Sequence, residues 1–341
     1  VKEDAVKVRP HWGRIAVFYA IAFGWVSIIA AGLYLLGDRN LSSTDGTGMA
    51  AIAVAILALL YMPAPMVAAL IIEKRTGKGY LMGRTFGKGF WTSFKRILIV
   101  APAVLLTLLL GMTVFSYLAG NVLGINGAGT LLFNSDDLVA NTLALAGTSM
   151  DSDQVAALTA RTPGLAGTLG LAFAGALIAG FTINGLFALG EEYGWRGWLA
   201  DQLRPLGAVW ANLIIGALWG LWHAPLILMG FNYGSYRVLG VAFMMAWCIA
   251  ASFLLWRARQ VTGSVLAAAV IHGGLNGFAG VFLLVLVNTN ALVAAPMGLI
   301  GIATVAVVAA LFWLVTARVK PVPVPTSEPA VAPAAEDPAT T

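Results

Sequence analysis

The sequence predicts an all-α polytopic integral membrane protein with about eight transmembrane helices. Three observations carry that expectation. The chain is 60% hydrophobic and only 10% charged, where a soluble domain carries about 25% charged residues. Apolar runs close to the length of a bilayer-spanning helix recur along the whole sequence. The alternating segments of about 10 residues that an outer-membrane barrel needs are absent.

The predicted spans cover about 13–36, 50–72, 97–119, 167–190 or beyond, 208–229, 237–256, 262–287 and 293–316. The first run is too long for a signal-peptide core, and no small-residue cleavage site follows it, so it is read as a span. The second contains "YMPAPMV", where Pro63 and Pro65 predict a kink or break. Between the second and third, Lys74 to Arg96 mixes basic residues with Tyr80, Phe86, Phe90, Trp91 and Phe94. That mixture suits an amphipathic interfacial helix on an anionic leaflet, or a platform for substrate. The long segment 121–163 is expected to face outward, with short helical pieces such as "LVANTLALAGT" on the membrane.

Charge orients the spans. Lys2, Lys7, Arg9 and Arg14 precede the first, seven bases lie between the second and third, and Arg204, Arg257, Arg259, Arg318 and Lys320 sit at later alternate ends. The other set of loops holds Arg39, Arg161 and Arg237 among the acidic residues Asp38, Asp45, Asp136, Asp137, Asp151 and Asp153. The positive-inside rule then places both termini in the cytoplasm and the protein in the cell membrane. The net charge of +5 is therefore read as a topology signal, with no nucleic-acid partner implied. The single cysteine, Cys248, cannot form an intrachain disulfide and is read as a packing residue. Residues 1–320 form one membrane domain, and 321–341, rich in Pro and Ala, form a disordered cytoplasmic tail.

Ionisable residues inside spans are costly and hence candidates for function. Here they are Glu191, Glu192 and Arg196 in "LGEEYGWRGWLA", with His223 and His272. "PLG" at 205–207 is a natural turn. Glu191 lies 16 residues before Gly207 and His223 16 after it, so a helical hairpin about this turn sets them side by side. For this, the helix must continue through "EEYGWRGWLADQL". Glu192 and Arg196, four apart, stack on one helix face as an ion pair. Glu191, rotated by about 100° from Glu192, is left to face something else. His272 and Asn276 are also four apart, among Gly273, Gly274 and Gly277, which permit close approach of another backbone.

A carboxylate beside an imidazole is a general-base arrangement that can hold a water and take its proton. A second histidine with an amide can donate to a developing oxyanion. Together they make a machine for hydrolysing a peptide bond. HExxH and GxSxG are absent, and no pair of span-buried aspartates is present. Glu191, His223 and His272 have acceptable ligand types for a divalent metal such as zinc, and they also suffice without one.

"EEYGWR" resembles the EExxxR motif of the CAAX-protease and bacteriocin-processing (CPBP or Abi) family, which includes the eukaryotic type II CAAX prenyl endopeptidase. "WGLWH", ending at His223, resembles its FxxxH motif with Trp219 at the aromatic position. "HGGLN" resembles its HxxxN motif. The resemblance covers about 164–287, the motif-bearing catalytic core. It implies a glutamate-dependent intramembrane endopeptidase with an eight-helix core. In it Glu191 and His223 activate the water, His272 and Asn276 form the oxyanion site, and Glu192 and Arg196 support the first motif. The implied partners are a peptide or protein substrate and the lipid bilayer. A bound cofactor is not required, although metal stays open. The alternatives are a transporter using the same polar cluster and a non-catalytic scaffold. The sequence leaves the oligomeric state open.

Overall fold

A computed structural model describes residues 9–37, 41, 56–77, 81–87 and 89–322. The expectations for Lys2, Lys7, Asp38, Arg39, Asp45, Lys78, Tyr80, Lys88, the start of the second span and nearly all of the tail fall outside these residues.

The polypeptide is a multi-pass bundle of apolar helices, as predicted. Helix α1 is Trp12–Leu35. A wide π-helical turn, Leu57–Tyr61, leads into α2, Ala64–Thr76. The break between them falls at Pro63, where the missing N–H and the ring end the preceding helix. Short α3, Leu81–Thr85, precedes α4, Phe90–Ser116, which runs on as π-helix to Val122. The third span therefore starts at Phe90, earlier than expected. Lys95 and Arg96 stand in its first turns rather than in a separate interfacial helix.

The long segment 121–163 holds α5 (Ser135–Ala146) and α6 (Ser152–Arg161), each begun by a side-chain cap from Asn134 and Asp151. Next come α7 (Leu165–Phe181) and α8 (Ile183–Glu192), separated at Thr182, where the backbone leaves helical geometry. Helix α8 continues as π-helix through Tyr193–Leu199 and then as α9, Ala200–Leu203. The expected uninterrupted fourth helix is thus broken at Thr182, and the expected continuation through "EEYGWRGWLADQL" is present. A tight turn, Arg204–Leu206, opens α10, Gly207–Trp222. Short α11 is Ala224–Ile227, α12 is Arg237–Thr262, α13 is Val265–Ala279, α14 is Val281–Val285 and α15 is Leu299–Val315.

Among the described residues six helical stretches are long and apolar enough to cross a membrane, or seven if bent pair α6–α7 counts as one, and α15 is a shorter apolar helix. The chain is not purely helical. Strands β1 (Ala128–Leu131) and β2 (Leu286–Thr289) pair antiparallel. The Asn121 amide donates to the Leu131 carbonyl at 3.1 Å and accepts from its N–H at 2.8 Å, so it completes the ladder where a third strand would.

The two ends of the bundle differ in chemistry. At one, Arg259 pairs with Asp201 at 2.8 Å, and Arg257 donates to Thr316 and Val319 at the end of α15. The N–H of Val322 returns to the carbonyl of Gln260. Basic residues assigned to one side by alternation therefore meet at one end. The two arginines are buried and partnered there, so they also bind helix ends together. The β1–β2 seam closes the opposite end, where Asn141 donates to the carbonyls of Leu283 and Leu284.

Candidate active site

The site is built where α8 and its π-helical extension meet α2, α10 and α13. Close approach is the enabling feature. A Cβ on Gly190 would lie 3.0 Å from the Cα of Pro63, and one on Gly194 would lie 2.6 Å from the backbone of Pro65. A Cβ on Gly273 would lie 2.5 Å from the backbone nitrogen of Gly185. Glycine lets these helices touch backbone to backbone, which carries the glutamates against the second span and His272 against α8. The Asn184 amide also donates to the carbonyl of Gly273 at 3.3 Å.

The three expected motifs converge. Glu192 and Arg196, both fully buried, form the predicted i,i+4 pair at 2.9 Å. The same Oε1 of Glu192 accepts from Nδ1 of His272, also at 2.9 Å. Glu192 therefore joins the first motif to the third. Glu191 diverges from it as the helical rotation required. Its Oε2 accepts from Nε1–H of Trp219 at 2.8 Å. The guanidinium of Arg196 lies 4.0 Å from the centre of the Trp219 ring, within cation–π range. Nε and one terminal nitrogen of Arg196 are buried without a hydrogen-bond partner among the described residues, so the ring face is a substantial part of that cation's surroundings. The same ring system makes a T-shaped contact with the His272 ring, their centres 5.4 Å apart.

Trp219 and Glu191 are 28 residues apart, about 42 Å along a continuous helix. Their contact proves the fold-back at the 204–207 turn. The register differs from the symmetric expectation by one helical turn: Glu191 meets Trp219, and His223 lies one turn further on. The π-helical segment contributes to the shift. A wider turn advances less per residue, so the 16 residues from Glu191 to Gly207, seven of them π-helical, cover less length than 16 α-helical ones.

His223 ends α10, and its Nδ1 lies 2.9 Å from the carbonyl of Trp219. A carbonyl only accepts, so Nδ1 carries the proton and Nε2 is left as the acceptor in the neutral ring. By the same logic the carboxylate of Glu192 accepts a hydrogen bond from Nδ1–H of His272, leaving Nε2 of that ring turned to other partners. Asn276 is exposed, one turn beyond buried His272 on the same helix face. Glu191, His223 and His272 do not come together as ligands: among the described residues no group of three or more His, Cys, Asp or Glu side chains is arranged to hold a metal ion.

Two supports were not found by motif reading. The hydroxyl of Tyr61 donates to the carbonyl of Trp222, next to His223, at 2.7 Å. The sequence signal is a tyrosine two residues before the proline break of a span. The Tyr193 hydroxyl donates to buried Glu73 at 2.7 Å and so ties α2 to the residue after the glutamate pair. Cys248 is buried, in agreement with a packing role.

Comparison with known proteins adds to this geometry. A family profile described as "Type II CAAX prenyl endopeptidase Rce1-like" matches residues 167–278. A curated relative, CAAX prenyl protease 2 of Methanococcus maripaludis, is 29% identical over 98 residues, which is 27% of this chain and 36% of that protein. The chain thus aligns with about a third of the relative's length. The matched segment holds every motif residue from Glu191 to Asn276, and it is over residues 167–278 that the chain is similar to the Rce1-like type II CAAX prenyl endopeptidases.

Proposed function

We propose that this protein is an intramembrane endopeptidase that hydrolyses a peptide bond of a membrane-associated peptide or protein with water activated by Glu191 and His223. The observation that carries the reading is the single buried network joining Glu191, Glu192, Arg196, Trp219 and His272 across separate helices. A buried ionic cluster is expensive in a bilayer and is a mark of function.

In the proposed reaction the carboxylate of Glu191 takes a proton from water, and the water oxygen bonds to the scissile carbonyl carbon. Nε2 of His223 accepts a hydrogen bond from the same water. The carbonyl electrons move to oxygen. The oxyanion receives hydrogen bonds from Nε2–H of the His272 imidazolium, with Glu192 as its counter-ion, and from the amide of Asn276. Collapse breaks the carbon–nitrogen bond, and the proton held by Glu191 passes to the leaving amine. The exposure of Asn276 supports its contact with substrate. Every step uses side chains and water, and none uses a metal.

The protein purified in detergent should cleave members of a peptide panel that includes prenylated and unprenylated C-terminal peptides, since the relative is named a CAAX prenyl protease. Cleavage should be lost in Glu191→Ala and in His223→Ala. Survival of cleavage in both would refute the site, and loss on adding a chelator would refute the metal-free reaction.

A further inference from the structure

We propose that Trp219 is a positioning residue of this site: its indole N–H holds one carboxylate oxygen of Glu191 so that the other faces the reacting water. The inference rests on the reading of Glu191 as the base.

The Trp219 N–H is the one hydrogen-bond donor that the Glu191 carboxylate has among the described residues, at 2.8 Å. Both side chains are buried, where a charged oxygen without a donor is costly. The terminal torsion of a glutamate is soft, so a donor on Oε2 fixes the plane in which Oε1 presents its lone pairs. Indole N–H donates and cannot accept. Trp219 therefore takes no part in proton transfer, and its contribution is orientation and charge support.

The rest of the residue is engaged on every side. Its ring face carries Arg196, its ring makes a T-shaped contact with His272, and its carbonyl accepts from Nδ1–H of His223. A cation on the ring face polarises the indole and strengthens its N–H as a donor. Arg196 thus reaches Glu191 through the ring, without touching it as an ion-pair partner. The FxxxH motif that this segment resembles has phenylalanine at the aromatic position, which fills the same space without a donor. The tryptophan consequently adds a hydrogen bond to the base that a phenylalanine does not supply.

Trp219→Phe isolates that bond, because it keeps an aromatic ring beside Arg196 and His272 and deletes the N–H. The expected result is a fall in kcat of roughly 10- to 100-fold, the size of one hydrogen bond to a charged group, with KM little changed. A packing role alone would leave kcat unaltered, and that outcome overturns the proposal. A second measurement needs no activity. With the indole nitrogens of the 11 tryptophans labelled with 15N, Glu191→Gln should move one indole N–H resonance, the one missing from Trp219→Phe. If no indole resonance moves, the proposal fails. If one moves while the wild-type protein cleaves no peptide, the bond stands and the endopeptidase reading falls.

Discussion

Glu192 and His272, 80 residues apart in the chain, share a hydrogen bond of 2.9 Å deep inside the bundle, on the oxygen that also holds Arg196. One carboxylate oxygen thereby fixes a residue on its own helix and one on a distant span. The arrangement makes Glu192 the joint of the site and leaves Glu191 free for the proposed chemistry.

Removing Arg196 should expose the cost of that joint. Arg196→Ala leaves a fully buried carboxylate with only His272 for compensation, and breaking such a pair costs about 3–5 kcal/mol. Thermal unfolding in detergent should show a large fall in midpoint. A midpoint equal to wild type would mean that Glu192 is not ionised in the folded protein.

The proposed oxyanion pair makes a separate prediction. His272→Ala and Asn276→Ala should each lower kcat, by about 100- to 1,000-fold if each supplies one donor. Asn276 is exposed and makes no hydrogen bond to a described residue, so its variant should unfold at the wild-type temperature. An Asn276→Ala protein with full kcat would place the second donor elsewhere.

The backbone contact beneath the glutamates should be intolerant of a single methyl group. Gly194→Ala drives a Cβ to 2.6 Å from the backbone of Pro65, and such overpacking costs about 1–3 kcal/mol. Activity should fall more than stability, because Glu191 and Glu192 precede the glycine by less than one turn. Gly207→Ala meets nothing within 4 Å and serves as a turn control: it should strain only its own positive φ of 81°.

Tyr61→Phe removes one hydroxyl whose hydrogen bond ends on the carbonyl of Trp222. The expected loss is about 1 kcal/mol of stability. A drop in kcat of several-fold should accompany it, since the bond anchors the residue before His223. Unchanged kcat would show that the second span supports the site only by packing.

Orientation is open to direct test. Cys248 is buried, so cysteines introduced at exposed Asp153 and Lys320 should dominate labelling. A membrane-impermeant maleimide should reach Asp153→Cys in intact cells and Lys320→Cys only after permeabilisation. The reverse pattern would invert the topology drawn from the basic residues.

Much of this was legible in the sequence because it depends on local spacing. The i,i+4 pairing of Glu192 with Arg196 follows from one helix, as does the divergence of Glu191. The meeting of "EEYGWR" with "WGLWH" follows from the turn at 205–207. The partner of Glu191 was displaced by one turn because helical counting assumes a uniform rise, and the π-helical Tyr193–Leu199 violates it. The β1–β2 seam was missed for a different reason. Four residues on each side, separated by more than 150 in the chain, leave no alternation long enough to see. The break at Thr182 was equally silent, since nothing in an apolar run of Gly, Ala and Leu marks where a helix will bend.

The locality of the Glu192–Arg196 pair also bears on how the protein is made. His272 is synthesised 80 residues after Glu192, so it cannot accompany the carboxylate into the bilayer. Arg196 leaves the ribosome four residues later and can neutralise it during insertion. The arginine thus acts first as an escort for the charged helix and later as a fixed part of the assembled site. A substitution at 196 should therefore reduce the yield of inserted protein as well as the stability of what is inserted.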